Sequence, residues 1–339
     1  MATDADALVT PAEWRPVVPR CARHPGAVAV ATLLLVGSGC GGAGTAPRTP
    51  RPSTTVTTIA PPTQGPAPAP PCGVAPAGPQ RYDHVLWFWM ENHTASDVIG
   101  NADAPYTTAL ATECGSAARY ASVGSPSLPN YVGATSGDTE GISDDGPPAS
   151  HPLGVDNLFR QVRAAGKTER SYSESMTTNC QLDSSGDYAV NHNPAPYYVG
   201  NQDRPACQRD NVPVGTTDGG ALRQDLDAGA LPTFAFITPN LCNDTHDCPV
   251  RIGDDWMRRW LPLVLASPTY RAGRTAVFLV WDEPTPMPFV VLSPSTPPGV
   301  VSSTPSSHYA LLRTTEELLG LPLLGRAGTA PSLRADYRL

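Results

Sequence analysis

Four unbroken apolar runs punctuate the chain beyond residue 80: His84–Met90 (HVLWFWM), Leu231–Thr238 (LPTFAFIT), Thr275–Trp281 (TAVFLVW) and Pro288–Leu292 (PFVVL). Runs of this length without alternation predict strands buried on both faces of a sheet. Thr168–Ser173 predicts a further strand. Helical spacing lies between them. Val155–Gly166 places Leu158, Phe159 and Val162 on one side and stops at a glycine, Asp254–Ala266 opens on an acidic cap, and Ser307–Leu319 is amphipathic and ends at Gly320. Pro126–Gly137 begins with a turn and a helix-start signal. Tyr188–Cys207, rich in Asn, Pro and Tyr, reads as irregular, and the tail from Gly325 as a surface extension. Strands alternating with helices predict an α/β fold, a three-layer α/β/α sandwich around a largely parallel sheet.

The first 80 residues follow another plan. Arg15, Arg20 and Arg23 precede an apolar run at 27–37 that is short for a bilayer span, and small residues lead to Cys40. This predicts an export signal in residues 1–40, of lipoprotein type with Cys40 as the lipid-bearing cysteine. Ordinary secretion and a retained membrane anchor are the alternatives, because Gly37 stands where such signals usually carry Leu. Residues 41–80 hold eleven prolines and no acid. Such a segment buries too little apolar surface to offset its ordering entropy, which predicts a disordered tether. Residues 81–339 are then the folded domain, on the outer face of the cytoplasmic membrane or outside the cell.

Charge narrows the partners. The total is −8, residues 1–40 balance, and 41–80 carry two arginines, which leaves −10 on residues 81–339. A domain that acidic has no basic face for nucleic acid. It suits a small substrate whose charge is met by a metal. Six cysteines follow Cys40, an even number that in an exported chain favours three disulfides. The preferred pairing is Cys242–Cys248, Cys180–Cys207 and Cys72–Cys114, with a zinc site at Cys242 and Cys248 as the rival.

Polar groups follow three of the strands: Glu91-Asn92, Asn240–Cys248 and Asp282-Glu283. Open α/β sheets keep their ligand sites outside the carboxyl ends of the strands. A carboxylate directly behind a WFWM run is costly to bury unless it is paired or binds a cation. Each tip alone could be a solvated strand end; two in one sheet point to carboxylates around a metal. Ser127, at a predicted helix N-terminus, would see free N–H groups and the positive end of the dipole, which suits an oxygen that attacks phosphate; alone it reads as a cap. His246, among Asn243, Asp244 and Asp247, is the candidate proton donor. His308 precedes a helix. His192 reads as structural or close to substrate, and His93 and His151 as surface residues.

In this order, these residues resemble the phosphoesterase family of bacterial acid phosphatases and phospholipases C, within the alkaline-phosphatase-like superfamily, and secreted actinobacterial acid phosphatases in particular. The likeness runs through HVLWFWMENHTASDVIGN, PSLPNY, GDTEGISDD, YAVNHNP, TPNLCNDTHD, GDDW, VFLVWDE and SHYALLRTTEELLGLP, nearly all of residues 82–323. It implies an alkaline-phosphatase-like fold and one or two divalent ions (Mg, Ca, Mn, Fe or Zn). Glu91 with Asn92, and Asp282 with Glu283, match its metal-ligand pairs. Ser127 matches the nucleophile that also touches the metal, and His246 the histidine beside the transferred phosphate. His308 matches a C-terminal metal ligand. Asp244, Asp247 and Asp145 would complete a second metal site or orient phosphate, and Asn130, Asp145 and His192 would lie with the substrate. The chain departs from the family at Pro284–Pro288, where relatives often have acids and a glycine-containing loop, and at Asn191, where they often carry a basic residue.

The resemblance implies a phosphate-monoester hydrolase working through a phosphoserine. Its partners would be a small phosphorylated substrate or a phospholipid headgroup, with contact to a membrane only through the lipid anchor. A phospholipase C-type diesterase and a non-catalytic cell-surface binder are the competing readings. A metal-free serine esterase lacks support because no G-x-S-x-G elbow surrounds Ser127.

Overall fold

The computed structural model describes residues 70–339. The export signal, Cys40 and residues 41–69 of the expected tether lie outside the described residues. Residues 70–80 are part of the folded body. Cys72 is buried and bonded to Cys114, Ala75 N–H donates to the Pro294 carbonyl at 2.8 Å, and Gly78 N–H to that of Arg338 at 2.8 Å.

Among the described residues ten strands form: β1 (His84–Met90), β2 (Gly115–Ala117), β3 (Tyr120–Ala121), β4 (Glu169–Ser173), β5 (Asn211–Pro213), β6 (Phe234–Thr238), β7 (Thr275–Trp281), β8 (Phe289–Leu292), β9 (Val300–Ser302) and β10 (Ser306–Ser307). Eight make one sheet in the order β5-β4-β6-β1-β7-β8-β2-β9, and β3 pairs with β10 beside it. Every ladder is parallel except the two that β8 makes with β7 and β2. The exception has a simple cause. The link from Asp282 to Pro288 is too short for the crossover that a parallel neighbour requires, so β8 must fold back on β7 as a hairpin.

The centre of the sheet is β6-β1-β7, in which Trp87 sits opposite Phe236 on one side and Phe278 on the other. All of β6 and β7, and β1 beyond His84, are buried. Each large apolar side chain taken out of water there contributes about 1.5–3 kcal/mol before ordering entropy is counted. This is why the unbroken apolar runs had to become central strands. Since these three strands are parallel neighbours, their C-terminal tips lie side by side, about 5 Å from one strand to the next.

Three helices carry the site or brace it. Ser127–Ser136 is buried along its whole length. Gly133 allows this depth, since a Cβ there would come within 2.7 Å of the Val123 side chain. The second, Val250–Ala266, starts four residues before the expected acidic cap. Asp254 instead lies inside it and caps a neighbour. Its carboxylate accepts from the backbone N–H groups of Tyr106 and Thr107 at 3.0 and 2.7 Å and from the Thr107 hydroxyl at 2.7 Å, at the start of the Pro105–Glu113 helix. The third, His308–Leu319, packs across the Ser127 helix.

The expected irregular region holds two 3-10 turns and the Asp203–Asp210 helix. The tail is no surface extension: Leu333, Tyr337 and Leu339 are buried, and the Tyr337 hydroxyl donates to the Ser116 carbonyl at 2.9 Å. The three disulfides pair Cys72–Cys114, Cys180–Cys207 and Cys242–Cys248, so the last two sulfurs are not zinc ligands.

Candidate active site

The tips of β1 and β7 and the loop after β6 meet at the start of the Ser127 helix. At Asn92 the backbone takes φ 54°, a left-handed conformation that asparagine adopts more readily than most residues. The Asn92 N–H there donates to Asp282 Oδ1 at 3.0 Å. Asp282 is held in line by its own N–H, which donates to the Met90 carbonyl at 3.1 Å. The loop after β6 is stitched on through Glu91. The Glu91 N–H donates to the Asp244 carbonyl at 2.8 Å, and the Thr245 hydroxyl to the Glu91 carbonyl at 2.8 Å. Gly253 makes room for this stitch, because a Cβ there would lie 2.4 Å from the Thr245 methyl and 2.9 Å from the end of Met90.

Glu91 is the hub. Ser127 Oγ donates to its Oε2 at 3.1 Å, and the Tyr131 hydroxyl donates to Oε1. Ser127 and Tyr131 are four positions apart on one helix, so both reach the same carboxyl. His192 Nε2 lies 3.5 Å from Glu91 Oε1, while its Nδ1–H donates to Asp244 Oδ2 at 3.1 Å. The His192 ring stacks flat on Tyr131 at 5.5 Å.

Glu91, Asp244 and Asp282 have no solvent exposure. Burial, and then the negative charges of Asp282 and Asp244, hold Glu91 well above the usual carboxylate range. Burial likewise raises Asp282, although the Asn92 N–H, His192, Glu91 and Ser127 oppose the rise. Two atoms facing this knot, Asp282 Oδ2 and His192 Nε2, have no hydrogen-bond partner among the described residues. Among the described residues, no group of three or more His, Cys, Asp or Glu side chains is already arranged to hold a metal ion.

The other expected site residues divide. His246 is drawn in through its N–H, which donates to Asp244 Oδ1 at 2.8 Å, and its ring lies 5.4 Å from that of His192. Its Nδ1 meets Asp247 Oδ1 at 2.6 Å; Asp247 is thus turned outward, largely exposed, and away from the cluster. Glu283 is half-buried beside Ser125, and burial raises it. Asp145 accepts the Leu128 N–H at 2.9 Å, and so occupies one of the free donors at the start of the Ser127 helix. Asn130 does not face a substrate. Its Oδ1 accepts from Val123 and Gly124 N–H at 2.9 and 3.0 Å, and its Nδ2 donates to the Gly124 and Pro126 carbonyls at 3.1 and 3.3 Å. All its bonding capacity goes into the turn that presents Ser127.

His308 is likewise a brace and not an available ligand. Its Nε2–H donates to the Asp282 carbonyl at 2.9 Å, Nδ1 takes the Tyr120 hydroxyl at 3.1 Å, and burial pushes it down to about 4, so the ring is neutral with both nitrogens engaged. Tyr131 was not among the expected site residues. Its position four residues after Ser127 is the signal that could have found it.

Residues 87–286 match the model of the Phosphoesterase family. The chain is 28% identical to the phosphatidylinositol-3-phosphatase of Mycobacterium tuberculosis, over 78% of this chain and 86% of that one. It is 27% identical to an acid phosphatase of Aspergillus fumigatus over 72% of its own length, and spans 56% of the fungal protein. Among solved structures it is similar to the lipoteichoic acid synthase LtaP from Listeria monocytogenes, at 12% identity and a TM-score of 0.50, covering 75% of this chain and 77% of that one. The last likeness is one of fold. A protein of the alkaline phosphatase superfamily from Vibrio parahaemolyticus is also similar, at 12% identity and a TM-score of 0.49, over 77% and 73% of the two chains.

Proposed function

The chain belongs to the Phosphoesterase family, and from that we propose that it is an exported, metal-dependent acid phosphatase that removes phosphate from small phosphate monoesters through a phosphoserine at Ser127. The enzyme class, a phosphoric monoester hydrolase, is that of its relatives, which include acid phosphatases and a phosphatidylinositol-3-phosphatase. Phosphoinositide headgroups are therefore a substrate class to test. The observation that carries the reading is the hydroxyl of Ser127, 3.1 Å from a fully buried carboxyl at the start of a helix.

The donor set fits a divalent cation. Asp282 Oδ2 and His192 Nε2 are buried without partners among the described residues, and burial, with the charges of Asp282 and Asp244, holds Glu91 well above the usual carboxylate range. Glu91, Asn92, Asp282 and Ser127 would hold the cation, with Glu283 and Asp244 alongside. When bound, it would neutralise phosphoryl charge and ease deprotonation of the serine. Ser127 Oγ attacks phosphorus and yields its proton to the carboxylate cluster as the bond to the leaving oxygen breaks. His246, on the open side, protonates the departing alcohol. Water then cleaves the phosphorus–Oγ bond, freeing phosphate and restoring the Ser127 hydroxyl. His192, fixed by Asp244 and stacked on Tyr131, keeps Nε2 aimed at the reacting group. The three disulfides support an oxidising, extracytoplasmic location, and the sequence pattern before Cys40 is the support for a lipid anchor there.

Hydrolysis of 4-nitrophenyl phosphate before and after chelation tests this reading. Chelation should abolish turnover, and Ser127→Ala should lower kcat by on the order of 100-fold or more. Calorimetry should show divalent-cation binding that survives Ser127→Ala and weakens in Asp282→Asn. Full activity in either variant overturns the assignment.

A further inference from the structure

The mechanism does not use a cavity lined by the β3 and β10 strands and the chain around Arg326. It has a volume of about 660 Å³, within the range of small-molecule sites, and its walls include Arg119, Ala121, Thr285, Ser306, Tyr309 and Arg326. Alanine and proline side chains make up much of the remainder. Two of its hydroxyls, Ser306 Oγ and Tyr309 Oη, belong to residues at least nine-tenths buried and have no hydrogen-bond partner among the described residues. A buried hydroxyl left unmatched costs about 1–3 kcal/mol, so a pair of them on residues that line one cavity points to a ligand with acceptors.

The two charged residues that line the cavity are both arginines. Arg119 makes no ion pair among the described residues. Arg326 lies over the Tyr309 ring, with Cζ 5.5 Å from its centroid, and Nε alone is engaged, donating to Asp138 at 3.2 Å. Two guanidinium groups with donors to spare are notable in a domain of net charge −10.

Three walls of the cavity lead into the catalytic knot. Thr285 is three residues past Asp282, so the two Cα atoms lie within about 11 Å. Ala121 begins the stretch that runs through Gly124 to Ser127, and the Ser122 hydroxyl and N–H bond the Thr285 side chain at 3.0 and 2.9 Å. Ser307 directly precedes His308, which holds the Asp282 carbonyl.

We propose that this cavity is a leaving-group subsite for an organic anion: it takes a second phosphate or carboxylate, carried on an aliphatic or alicyclic body, while Ser127 acts on the phosphate monoester at the other end. Arg119 and Arg326 meet the second anion, the Ser306 and Tyr309 hydroxyls donate to its oxygens, and the alanines and prolines line the body between. The assignment rests on the phosphatase reading of Ser127 and sharpens it to substrates with two anionic ends.

A series of alkanediol bisphosphates of increasing tether length, each compared with the alkyl monophosphate of the same length, tests it in kcat and KM. The expected result is a length at which KM for the bisphosphate falls about tenfold below that of its monophosphate, equivalent to about 1.4 kcal/mol. In Arg119→Gln and in Tyr309→Phe this advantage should vanish, while kinetics on 4-nitrophenyl phosphate stay as in the wild type. No advantage at any length, or an advantage that both variants keep, overturns the subsite. If 4-nitrophenyl phosphate itself is not hydrolysed, the reading of Ser127 has failed instead. The subsite is then judged by calorimetric titration of the bisphosphates: binding lost in Arg119→Gln supports it, and no binding to the wild type sinks it.

Discussion

Replacing Tyr131 by Phe isolates one hydrogen bond at the hub of the site. The ring would keep its stacking against His192 at 5.5 Å and Trp89 at 5.0 Å, and only the donor to Glu91 Oε1 would go. A hydrogen bond to a charged group contributes about 1.5–3 kcal/mol, which corresponds to about 10- to 100-fold in kcat/KM if the bond persists in the transition state. The loss should depend on pH. In the wild type this hydrogen bond holds Glu91 down against burial and the charges of Asp282 and Asp244. Without it, Glu91 binds its proton more tightly and yields it less readily to a cation, so the acid limb of the activity profile should move to higher pH. The assay is kcat/KM for 4-nitrophenyl phosphate across pH 4–9 at saturating cation, with the melting temperature as a control for folding. An unshifted profile, or a loss equal at every pH in a stably folded variant, would refute the role of Tyr131 in setting the charge of Glu91.

Gly253→Ala should separate the loop after β6 from the tip of β1, because the new methyl meets Thr245 at 2.4 Å; activity should fall at least tenfold, with a lower melting temperature, and wild-type kinetics would contradict the close-approach argument. Cys242→Ser with Cys248→Ser opens the loop that carries Asp244 and His246; it should cost about 2 kcal/mol in urea unfolding and lower kcat more than it raises KM. Glu316 makes stability depend on pH. Burial pushes it up to about 8, so between its ordinary value near 4.5 and about 8 the unfolded chain has released a proton that the folded chain retains, and stability falls as pH rises through that window. Glu316→Gln should flatten that decline, with a gain of up to about 3 kcal/mol at pH 7 in urea titrations and little change at pH 4.5; an equal effect at both values would reject the assignment.

The parts of the fold that were legible in the sequence were those where burial leaves no choice. β1 and β7 form over the same residues as their apolar runs, since a chain segment apolar on every side can only sit in the middle of a sheet. β2, β9 and β3 were not anticipated, because two or three residues such as Gly115–Ala117 carry no period to read. The antiparallel turn of β8 was implicit in the short link from Asp282 to Pro288. In the site, Glu91, Ser127 and Asp282 were visible as polar residues at the ends of apolar runs or at a helix start. Asn130 and His308 look like ligands in sequence, and only their hydrogen bonds show them bracing the residues that face the site. Tyr131 went unseen because a tyrosine in an apolar helix reads as packing. The Arg119 cavity is assembled from four separate stretches of chain, and no local pattern announces such a convergence.

The bond between Cys72 and Cys114 also fixes how the domain would carry a mechanical load. A pull on the chain ahead of Cys72 passes through the sulfurs to the end of the Pro105–Glu113 helix, and bypasses a stretch with a sequence separation of 42. Inside that shunted stretch lies β1 with Glu91 and Asn92 at its tip. Tension from the amino-terminal side would then be borne by a covalent strut, and the tip of β1 with Glu91 would be spared it for as long as the strut is oxidised.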